Sequence, residues 1–442
     1  MHFLDLNEDV LREIFLYLEY DEVFYVLGNV CKQLKETVDT YIQLGGVFLL
    51  CSVPGMPSKL LHIFERNSRI VSICSKLGPA LPRPSLVDSL ESNVTFDIGS
   101  FGCRLKEKNV VGVYYTEKPK HLNFRLNEVA DTYKFCYFHE YEPRTNSWIP
   151  IESRDKSELY SWTDTLWRQP YILISTCPIA DSMMVVLEEY KNNGVNYARL
   201  FHLNCKEPRK APKKTSKHER FLKAIKLVTK TETPCYTYSE QISLPLDLQG
   251  IFKCTIVQVE YDKFMLIGGS NNQQVPNMKI WQGKVFRENN TTWKHGTSGK
   301  ITWSPINIEL HEPLASPLCF KLKNNLYIAG GATTENPSGC LHLSSVDIHG
   351  KVHYFCHRYD MKNKEYYDCE YILPLSVNSF DKVTTSADEK FAIILTKEKG
   401  TILIFTEKDG FSEFPNFSIF GKRSVKKPFF YNPSTTVLLR VK

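Results

Sequence analysis

The first forty or so residues alternate apolar and polar positions with the period of an α-helix. Apolar residues recur at spacings of three and four: Val10, Leu11, Ile14, Phe15 and Leu18. A second stretch of the same kind begins at Asp21 and carries Val23, Val26, Leu27, Val30, Leu34 and Val38. We therefore predict a three-helix module over residues 1–42. So short a module buries little surface, and we expect its apolar side to contact another protein or the next domain.

The same segment resembles the F-box family over residues 4–42. The matching positions are Leu6, Glu8, Val10, Leu11, Ile14, Phe15, Leu18, Asp21, Val23, Val30, Cys31 and Lys32. Two positions depart from the family: Asn7 replaces a proline and Leu34 replaces an aromatic residue. The resemblance implies that a Skp-type adaptor binds Leu6, Val10, Leu11, Ile14, Phe15, Leu18, Val23, Val30 and Cys31. The alternative is a helical cap that packs on the rest of the same chain.

Beyond residue 43 the apolar pattern changes to short runs typical of β-hairpins. Paired runs recur along the chain: 172–175 with 183–187, 256–259 with 264–267, 318–321 with 326–329, and 383–386 with 391–395. Most pairs are separated by a short polar turn. Two of the second strands end in a double glycine, Gly268-Gly269 and Gly330-Gly331. Glycine there permits a positive φ and the close approach of a neighbouring backbone.

A second recurrence pairs two aromatic residues seven positions apart across a polar turn. The pairs are Tyr141 with Trp148, Phe286 with Trp293, and Tyr359 with Tyr366. We predict that each pair lies in one hairpin and faces one core, so that Trp148, Trp293 and Tyr366 are core residues.

Double glycine followed by tyrosine, a turn and tryptophan resembles the Kelch repeat. The resemblance is clear over 252–306 and 313–373, and partial over 96–150, where Gly112 stands alone. Counting hairpins, we predict a six-bladed Kelch-like β-propeller over residues 43–442, with blades near 44–75, 96–152, 171–246, 252–306, 313–373 and 379–415. Seven blades remain an alternative if the tail strand 435–441 adds one. The predicted fold class is therefore mainly β, with the three-helix F-box in front of the propeller.

Composition restricts the classes of function. The net charge of +6 is modest for 442 residues, so a protein that coats nucleic acid is not expected. The 13 cysteines form no C-x-x-C pair and predict reduced core thiols rather than disulfides or a zinc ribbon. The sequence shows neither a signal peptide nor an apolar run long enough to cross a membrane. We expect a cytoplasmic or nuclear protein.

One basic segment, residues 206–230, interrupts the strand pattern as an insertion within a blade. Its positive charge suits nuclear import, nucleic acid or an acidic partner, and a solvated insertion without a dedicated role is equally compatible. Salt-dependent binding would be the sign of nucleic-acid recognition.

Catalytic and cofactor motifs are missing from the sequence. The segment 296–300 lacks the leading glycine and the final hydroxyl residue of a phosphate-binding loop. Cysteines and histidines concentrate over 340–369, but His353 and His357 would lie about 13 Å apart on a strand, too far to share an ion. We therefore predict no enzyme activity, no cofactor and no metal site.

Two hypotheses of function follow. The F-box resemblance implies a substrate-recognition subunit of an SCF-type cullin–RING ubiquitin ligase, in which the propeller holds an unknown target protein. The alternative is an interaction scaffold that works outside any ligase. For the target site we select a segment rich in interface residue types, with Tyr160, Trp162, Trp167 and Arg168. Its neighbours would be the polar loops 270–277 and 332–338, although the two tryptophans could instead seal the gap between blades.

Overall fold

In a computed structural model, the chain forms a closed ring of six sheets, antiparallel except for one short parallel pair of strands. The structure describes ten separate residues before Gly46 and, from Gly46 to Val441, the strands given below with adjoining turn residues. The longest segments outside this description after Gly46 are 81–93, 120–133, 154–170, 205–234, 288–298, 332–343 and 415–435.

The first three sheets contain strands β1 to β14. Blade 1 consists of β1 (Gly46–Cys51), β2 (Pro57–Arg66), β3 (Arg69–Cys74), β4 (Gly78–Ala80) and the C-terminal β28 (Thr436–Val441). Blade 2 consists of β5 (Val94–Leu105), β6 (Lys108–Pro119), β7 (Lys134–Glu142) and β8 (Ser147–Pro150). Blade 3 consists of β9 (Glu152–Ser153), β10 (Tyr171–Ile179), β11 (Met183–Tyr190), β12 (Val195–Asn204), β13 (Cys235–Tyr238) and β14 (Ile242–Ser243).

The other three sheets follow in chain order. Blade 4 consists of β15 (Thr255–Glu260), β16 (Lys263–Ile267), β17 (Lys279–Arg287) and β18 (Gly299–Glu309). Blade 5 consists of β19 (Leu318–Leu322), β20 (Asn325–Ala329), β21 (Ser344–Val346), β22 (Val352–Asp360) and β23 (Glu365–Leu373). Blade 6 consists of β24 (Lys382–Thr385), β25 (Phe391–Leu395), β26 (Ile402–Thr406) and β27 (Gly410–Glu413).

The last strand of the chain closes the ring. β28 pairs with β1 in antiparallel register, Gly46 opposite Val441 and Cys51 opposite Thr436. The inner strands β28, β5, β10, β15, β19 and β24 each contact the next one around the circle, and β24 contacts β28 again. The tail strand thus completes blade 1, which confirms six blades and excludes a seventh formed by this strand.

The two ends of the ring differ in their connections. At one end lie the connections from the first to the second strand of a blade, such as the short turns 261–262 and 323–324, and those from the third to the fourth strand; we call this end the turn rim. At the other end lie the connections between second and third strands and those between blades, such as 268–278 and 244–254; we call it the loop rim. Because Gly46 lies opposite Val441, the N-terminal segment joins blade 1 at the turn rim.

The core lies between blades. Both faces of each sheet are covered by neighbours, so apolar residues on alternate positions of a strand contribute to two different interfaces. In blade 5, for example, Cys356 packs against blade 6, whereas Tyr359, three residues later on the same strand, packs against blade 4. Described apolar clusters fill the interfaces from blade 2 round to blade 1 through blades 3, 4, 5 and 6.

The predicted hairpins and two of the three aromatic pairs are confirmed. β10 with β11, β15 with β16, β19 with β20 and β24 with β25 are antiparallel pairs. Tyr141 lies opposite Trp148 with ring centroids 5.0 Å apart, and Tyr359 lies opposite Tyr366. Trp148 and Tyr366 are half-buried and not fully buried as predicted for core residues; Tyr366 packs against the cluster between blades 4 and 5.

The prediction for Phe286 is wrong, and Trp293 lies outside the described residues. Phe286 lies opposite Lys300 instead, near the end of β17, and 42% of its surface is exposed. The strands of this hairpin are connected by residues 288–298, a connection longer than the seven-residue spacing suggests, so Phe286 lies near the turn rim at the end of β17. The Nζ atom of Lys284 lies 5.1 Å from its ring centroid.

The predicted N-terminal three-helix F-box is corrected: among the described residues there is no α-helix with defined ends, and the fold class is mainly β. Val10, Leu11 and Ile14, and later Leu34 and Val38, have helical backbone conformation, but no run of described residues here is as long as one helical turn. The predicted apolar stripe is also divided, since Leu11 is 2% exposed while Val10 and Val30 are 44% and 62% exposed. Apolar periodicity indicates a local preference, and it does not by itself establish a three-helix fold.

Candidate functional site

The best-described part of the loop rim lies at the junction of blades 3 and 4. Two segments meet there: the connection from β14 to β15, and the loop between β16 and β17. A salt bridge joins them, because Nζ of Lys279 lies 3.2 Å from Oδ2 of Asp247. We refer to the described residues of these two segments, together with Lys279 at the start of β17, as the blade 3–4 loop site.

The double glycine shapes the loop between β16 and β17. Gly268 and Gly269 have φ angles of 68° and 97°, and a Cβ atom on Gly268 would lie 2.5 Å from the carbonyl oxygen of Leu314. Asn277 then holds the two ends of the loop together: its backbone N–H donates to Gly269 O at 2.7 Å and its Nδ2 donates to Gly268 O at 3.2 Å. The predicted positive φ and close approach are confirmed, here and at Gly330.

The facing segment contains a single turn of 3-10 helix, Leu246–Leu248. The backbone N–H groups of Leu248 and Gln249 donate to Pro245 O at 2.8 and 3.1 Å, and Ile251 N–H donates to Leu248 O at 3.1 Å. Leu244 and Leu248 are buried in the cluster between blades 3 and 4. Leu246 points the other way and is 83% exposed.

Two tryptophans lie beneath this site, on one face of blade 4. Trp281 lies opposite Pro305, and Gly283, two residues on, lies opposite Trp303, so the two indoles are diagonal neighbours. Both pack with the cluster between blades 3 and 4. Their Nε1–H groups are buried and have no hydrogen-bond partner. The two indoles thus form an apolar layer under the site. The described groups of the site can make binding contacts, and no nucleophile paired with a base is among them.

A second polar cluster lies on the turn rim between blades 5 and 6. Glu407 accepts hydrogen bonds from Lys323 Nζ at 2.6 Å, Asn325 Nδ2 at 2.9 Å and the Tyr327 hydroxyl at 2.9 Å. Burial raises the pKa of Glu407, but these three bonds outweigh it and lower the pKa overall. Since the donors and the acceptor satisfy one another, this cluster ties two blades together.

Arg358 extends that surface outward. Its guanidinium lies 4.0 Å from the ring centroid of Tyr367 and pairs with Glu370. The cation is therefore already engaged by one aromatic face and one carboxylate.

Buried titratable groups elsewhere are held in their neutral forms. Burial lowers the pKa of His62 to about 3 and that of His139 to about 4. Burial also raises the pKa of the Cys103 thiol to about 12. Cys103, Cys177, Cys254, Cys319 and Cys356 are buried and form no disulfide, which confirms core thiols at these positions. In the part of the chain that the structure describes, no group of three acidic, histidine or cysteine side chains could hold a metal ion.

The predicted adaptor-binding residues are described only in part. Leu6, Ile14 and Cys31 are half-buried, Leu11 is buried, and Val10 and Val30 are exposed. Phe15, Leu18 and Val23 lie outside the described residues, as do the predicted target-binding residues Tyr160, Trp162, Trp167 and Arg168. The basic segment 206–230 is outside them too.

Sequence reasoning missed Leu246. The run Leu244-Pro245-Leu246-Asp247-Leu248 alternates apolar and other residues, as a strand with one buried face does. Pro245 before a 3-10 turn breaks that alternation, and only Leu244 and Leu248 turn inward. The proline and the following Gly250, which has a φ of 78°, were the signals available.

Comparisons with known proteins extend this description little. No protein-family model matches the chain, and no curated protein matches it. The structure of a functionally unknown protein from Desulfotomaculum acetoxidans DSM 771 is similar, with 9% identity, a TM-score of 0.32, and coverage of 83% of this chain and 94% of that one. Apo AztD from Citrobacter koseri is similar with 8% identity, a TM-score of 0.28, and coverage of 90% and 98%.

These likenesses are too weak to carry an argument about function. The F-box and Kelch resemblances therefore have no support from the comparisons, and the six-bladed propeller rests on the strand pairing described above. Over the described residues, we find no helix with the length and apolar character needed to span a membrane.

Proposed function

We propose that this protein is a protein-interaction scaffold that binds its partner at the loop rim of the propeller. The observation that carries the proposal is that two segments 32 residues apart in sequence are joined at the loop rim between blades 3 and 4, where Lys279 pairs with Asp247. Asn277 and the 3-10 turn hold described residues of this blade 3–4 loop site in place by hydrogen bonds. Binding functions concentrate on loops that a rigid frame positions.

The rigidity of the blade 3–4 loop site supports this role. A loop that is fixed before binding loses less conformational entropy on association than a loose one. The hydrogen bonds of Asn277 and of the 3-10 turn, together with the Lys279–Asp247 salt bridge, fix the loop site in this way.

Cross-linking mass spectrometry on the full chain tests the proposal. A lysine-reactive reagent has Lys279 available on the loop rim and Lys323 and Lys362 on the turn rim, all three exposed. We expect a stoichiometric partner whose cross-links include Lys279. Cross-links confined to Lys323 and Lys362, or turnover of a substrate without any stable partner, would contradict the proposal.

A narrower role is that of an SCF substrate receptor, which the F-box resemblance of residues 4–42 implies. Since no three-helix module is among the described elements, this role is our second candidate. One structural observation favours it: the N-terminal segment joins the propeller at the turn rim, opposite the loop rim. A receptor needs its adaptor and its target on separate surfaces.

The exposed valines Val10 and Val30 provide the test of this second role. Val10→Asp and Val30→Asp should abolish co-purification of a Skp-type adaptor while the melting temperature is unchanged, because both side chains face solvent. Leu246→Asp, at the far rim, is the matched control and should leave adaptor recovery intact. If the full chain recovers no adaptor, or the double variant recovers it in full, the ligase role is excluded and the scaffold role is not affected.

A further inference from the structure

The indole N–H groups of Trp281 and Trp303 are buried donors without an acceptor among the described residues. Trp281 is only 8% exposed, and Trp303 packs against the same apolar cluster between blades 3 and 4. Most buried polar groups in folded proteins are hydrogen-bonded, because a donor that leaves water and gains no acceptor lowers stability. Two such donors on one face of one blade indicate that their acceptor comes from outside the chain.

The two donors are close neighbours, and their rings are packed in place. Trp281 lies opposite Pro305 and Trp303 lies opposite Gly283, which places the two side chains diagonally on the face of blade 4 that meets blade 3. Phe264 meets the ring of Trp303 edge to face, with centroids 5.4 Å apart. A molecule that brings the acceptor would not have to order these rings, and this lowers the cost of binding.

The surroundings restrict the chemistry of the acceptor. The described cluster around the indoles consists of apolar side chains and two thiols, Cys177 and Cys254, each of which donates to a backbone carbonyl. A buried water needs about two to four polar partners, and these side chains offer no acceptor for its own hydrogens. A buried carboxylate would need a cation, but Lys279, two residues before Trp281, already pairs with Asp247. A neutral carbonyl oxygen needs donors alone.

Trp303 borders the solvent side of this interface. It lies on β18, the outer strand of blade 4, and its ring is half-buried although its Nε1 atom is buried. A molecule that enters between the outer edges of blades 3 and 4 would meet Trp303 first and Trp281, on the next strand inward, behind it. Its apolar part would then contact Val285 and Ile301, which belong to the same cluster.

We propose that the interface between blades 3 and 4 binds a small, neutral and mainly apolar molecule, whose carbonyl oxygen accepts hydrogen bonds from the Nε1–H groups of Trp281 and Trp303. This site goes beyond the scaffold function and does not depend on it, because the donors lie between the blades and the partner interface lies on the loop rim. A ligand that carries a donor beside its acceptor should be disfavoured, since the described side chains of the cluster offer that donor no acceptor.

Nuclear magnetic resonance of the full chain, with its 6 tryptophans labelled with nitrogen-15, tests this site with cyclohexanone as the probe. We expect the indole N–H signals of Trp281 and Trp303, assigned from Trp281→Phe and Trp303→Phe, to move downfield and to saturate as cyclohexanone is added. Cyclohexanol has the same ring but adds a hydroxyl hydrogen, and it should bind about tenfold more weakly.

The two phenylalanine variants give a second readout. Each removes one donor and should weaken the binding of cyclohexanone about tenfold. Trp148→Phe, in blade 2, is the matched control and should leave the affinity unchanged. Melting temperatures measured without the probe show whether each variant is folded. If one is not, the wild-type titration still decides, because two of the six indole signals should move.

The absence of any saturable movement up to about 50 mM cyclohexanone would overturn the inference, because a site with a Kd of about 1 mM would be nearly full there. Equal affinities for cyclohexanol and cyclohexanone would also overturn it, since the acceptor would then not be what the site selects. A third contrary result is magnetisation transfer from water to both indole N–H groups that cyclohexanone does not displace, which would assign the donors to bound water. None of these results bears on the scaffold function.

Discussion

The phenyl ring of Phe264 lies over the backbone of Gly283, the residue directly opposite it on the neighbouring strand. A Cβ atom on Gly283 would lie 2.2 Å from Cζ of this ring. On the far side of Gly283, Trp303 meets the same ring edge to face, with centroids 5.4 Å apart. A glycine within a strand thus makes room for an aromatic pair in the core.

Blade 2 repeats this arrangement. Phe101 lies opposite Gly112, where an added Cβ would lie 2.3 Å from the ring, and Phe138 lies on the far side with ring centroids 6.0 Å apart. Gly112 is therefore a glycine within a strand under an aromatic ring. It does not have the role of the double glycine, with which the partial Kelch resemblance over 96–150 aligned it.

We predict that Gly283→Ala is destabilising because the added methyl group overlaps the Phe264 ring. Overpacking of this kind costs about 1–3 kcal/mol of the free energy of unfolding. Phe264→Ala alone should cost about 3–5 kcal/mol. In the Phe264→Ala background the alanine at position 283 should cost much less, since the overlap is gone. Urea titrations of the four proteins give the coupling, and strictly additive costs would contradict this account.

Two causes make Gly330, in a double glycine, resistant to substitution, and the single Gly410 separates them. At Gly330 the φ angle is 60° and an added Cβ would lie 1.9 Å from the carbonyl oxygen of Val377. At Gly410 the φ angle is 70°, but the nearest atom, in the Tyr371 ring, would be 3.5 Å away. Gly410→Ala should therefore cost about 1–2 kcal/mol from backbone strain alone.

Gly330→Ala should cost clearly more than Gly410→Ala, because the main chain around Val377 cannot move aside cheaply. The comparison by thermal or urea unfolding needs only the two single variants. Equal costs at the two positions would mean that strain, and not the close approach to Val377, explains the glycine.

The sequence predicted those parts of the fold that depend on neighbours along the chain. Alternating apolar runs indicated the hairpins, and Gly268-Gly269 and Gly330-Gly331 indicated positive φ angles, since local sterics determine both. The pairing of β28 with β1 joins residues at opposite ends of the propeller, and no local pattern encodes it. The sequence predicts the tail as a strand and allows that it adds a seventh blade, and the pairing with β1 shows that it completes blade 1 instead.

The candidate site was predicted less well than the fold. The sequence predicts the loop 270–277 as polar rim surface, but not the hydrogen bonds of Asn277 to the double glycine or the salt bridge of Lys279 to Asp247, which joins segments 32 residues apart. Leu246 escaped notice because its alternation with Leu244 and Leu248 imitates a strand. The F-box prediction failed as a statement of fold class because an apolar period states a preference and not a packed structure.

Glu407 should stabilise the junction of blades 5 and 6. Glu407→Ala leaves the hydroxyl of the buried Tyr327 without its acceptor, which should cost about 1–3 kcal/mol. Adding Tyr327→Phe removes the hydroxyl that has lost its acceptor. The double variant should therefore lose less free energy of unfolding than the sum of the losses of the two single variants. Lys323→Ala is the control: its exposed salt bridge should contribute about 1 kcal/mol or less. Additive effects of Glu407→Ala and Tyr327→Phe would argue against the hydrogen bond.

The free energy of unfolding should decrease as the pH is lowered below about 6.5, because the buried histidines have lower pKa values in the folded chain than in the unfolded chain. The pKa of His62 is lowered to about 3 and that of His139 to about 4, from an ordinary value of 6.5. The unfolded chain therefore binds protons below about pH 6.5 that the folded chain does not. Their contribution is complete above pH 6.5 and is lost as the pH falls towards 4.

The measurement is the free energy of unfolding between pH 7 and 4.5. Each histidine should contribute a slope of up to about 1.4 kcal/mol per pH unit, and His139→Gln should remove one such contribution. Glu407→Gln should leave this slope unchanged above pH 5, since the folded pKa of Glu407 lies below its ordinary value of 4.5. An unaltered slope in His139→Gln would show that His139 is not held neutral.

The C-terminal strand should decide whether the ring forms at all. β28 is the inner strand of blade 1, and Leu438 and Leu439 on it are buried, the latter completely. A chain that ends at residue 435 would leave β1 without its inner partner and would open the contacts of β28 with β5 and β24. We expect this truncation to abolish cooperative unfolding. Leu439→Ala should retain the fold and cost about 2–5 kcal/mol, and Leu439→Met less than about 1.5 kcal/mol. Near-ultraviolet circular dichroism and urea unfolding distinguish the cases, and a truncated chain with the wild-type midpoint would show that blade 1 closes without its last strand.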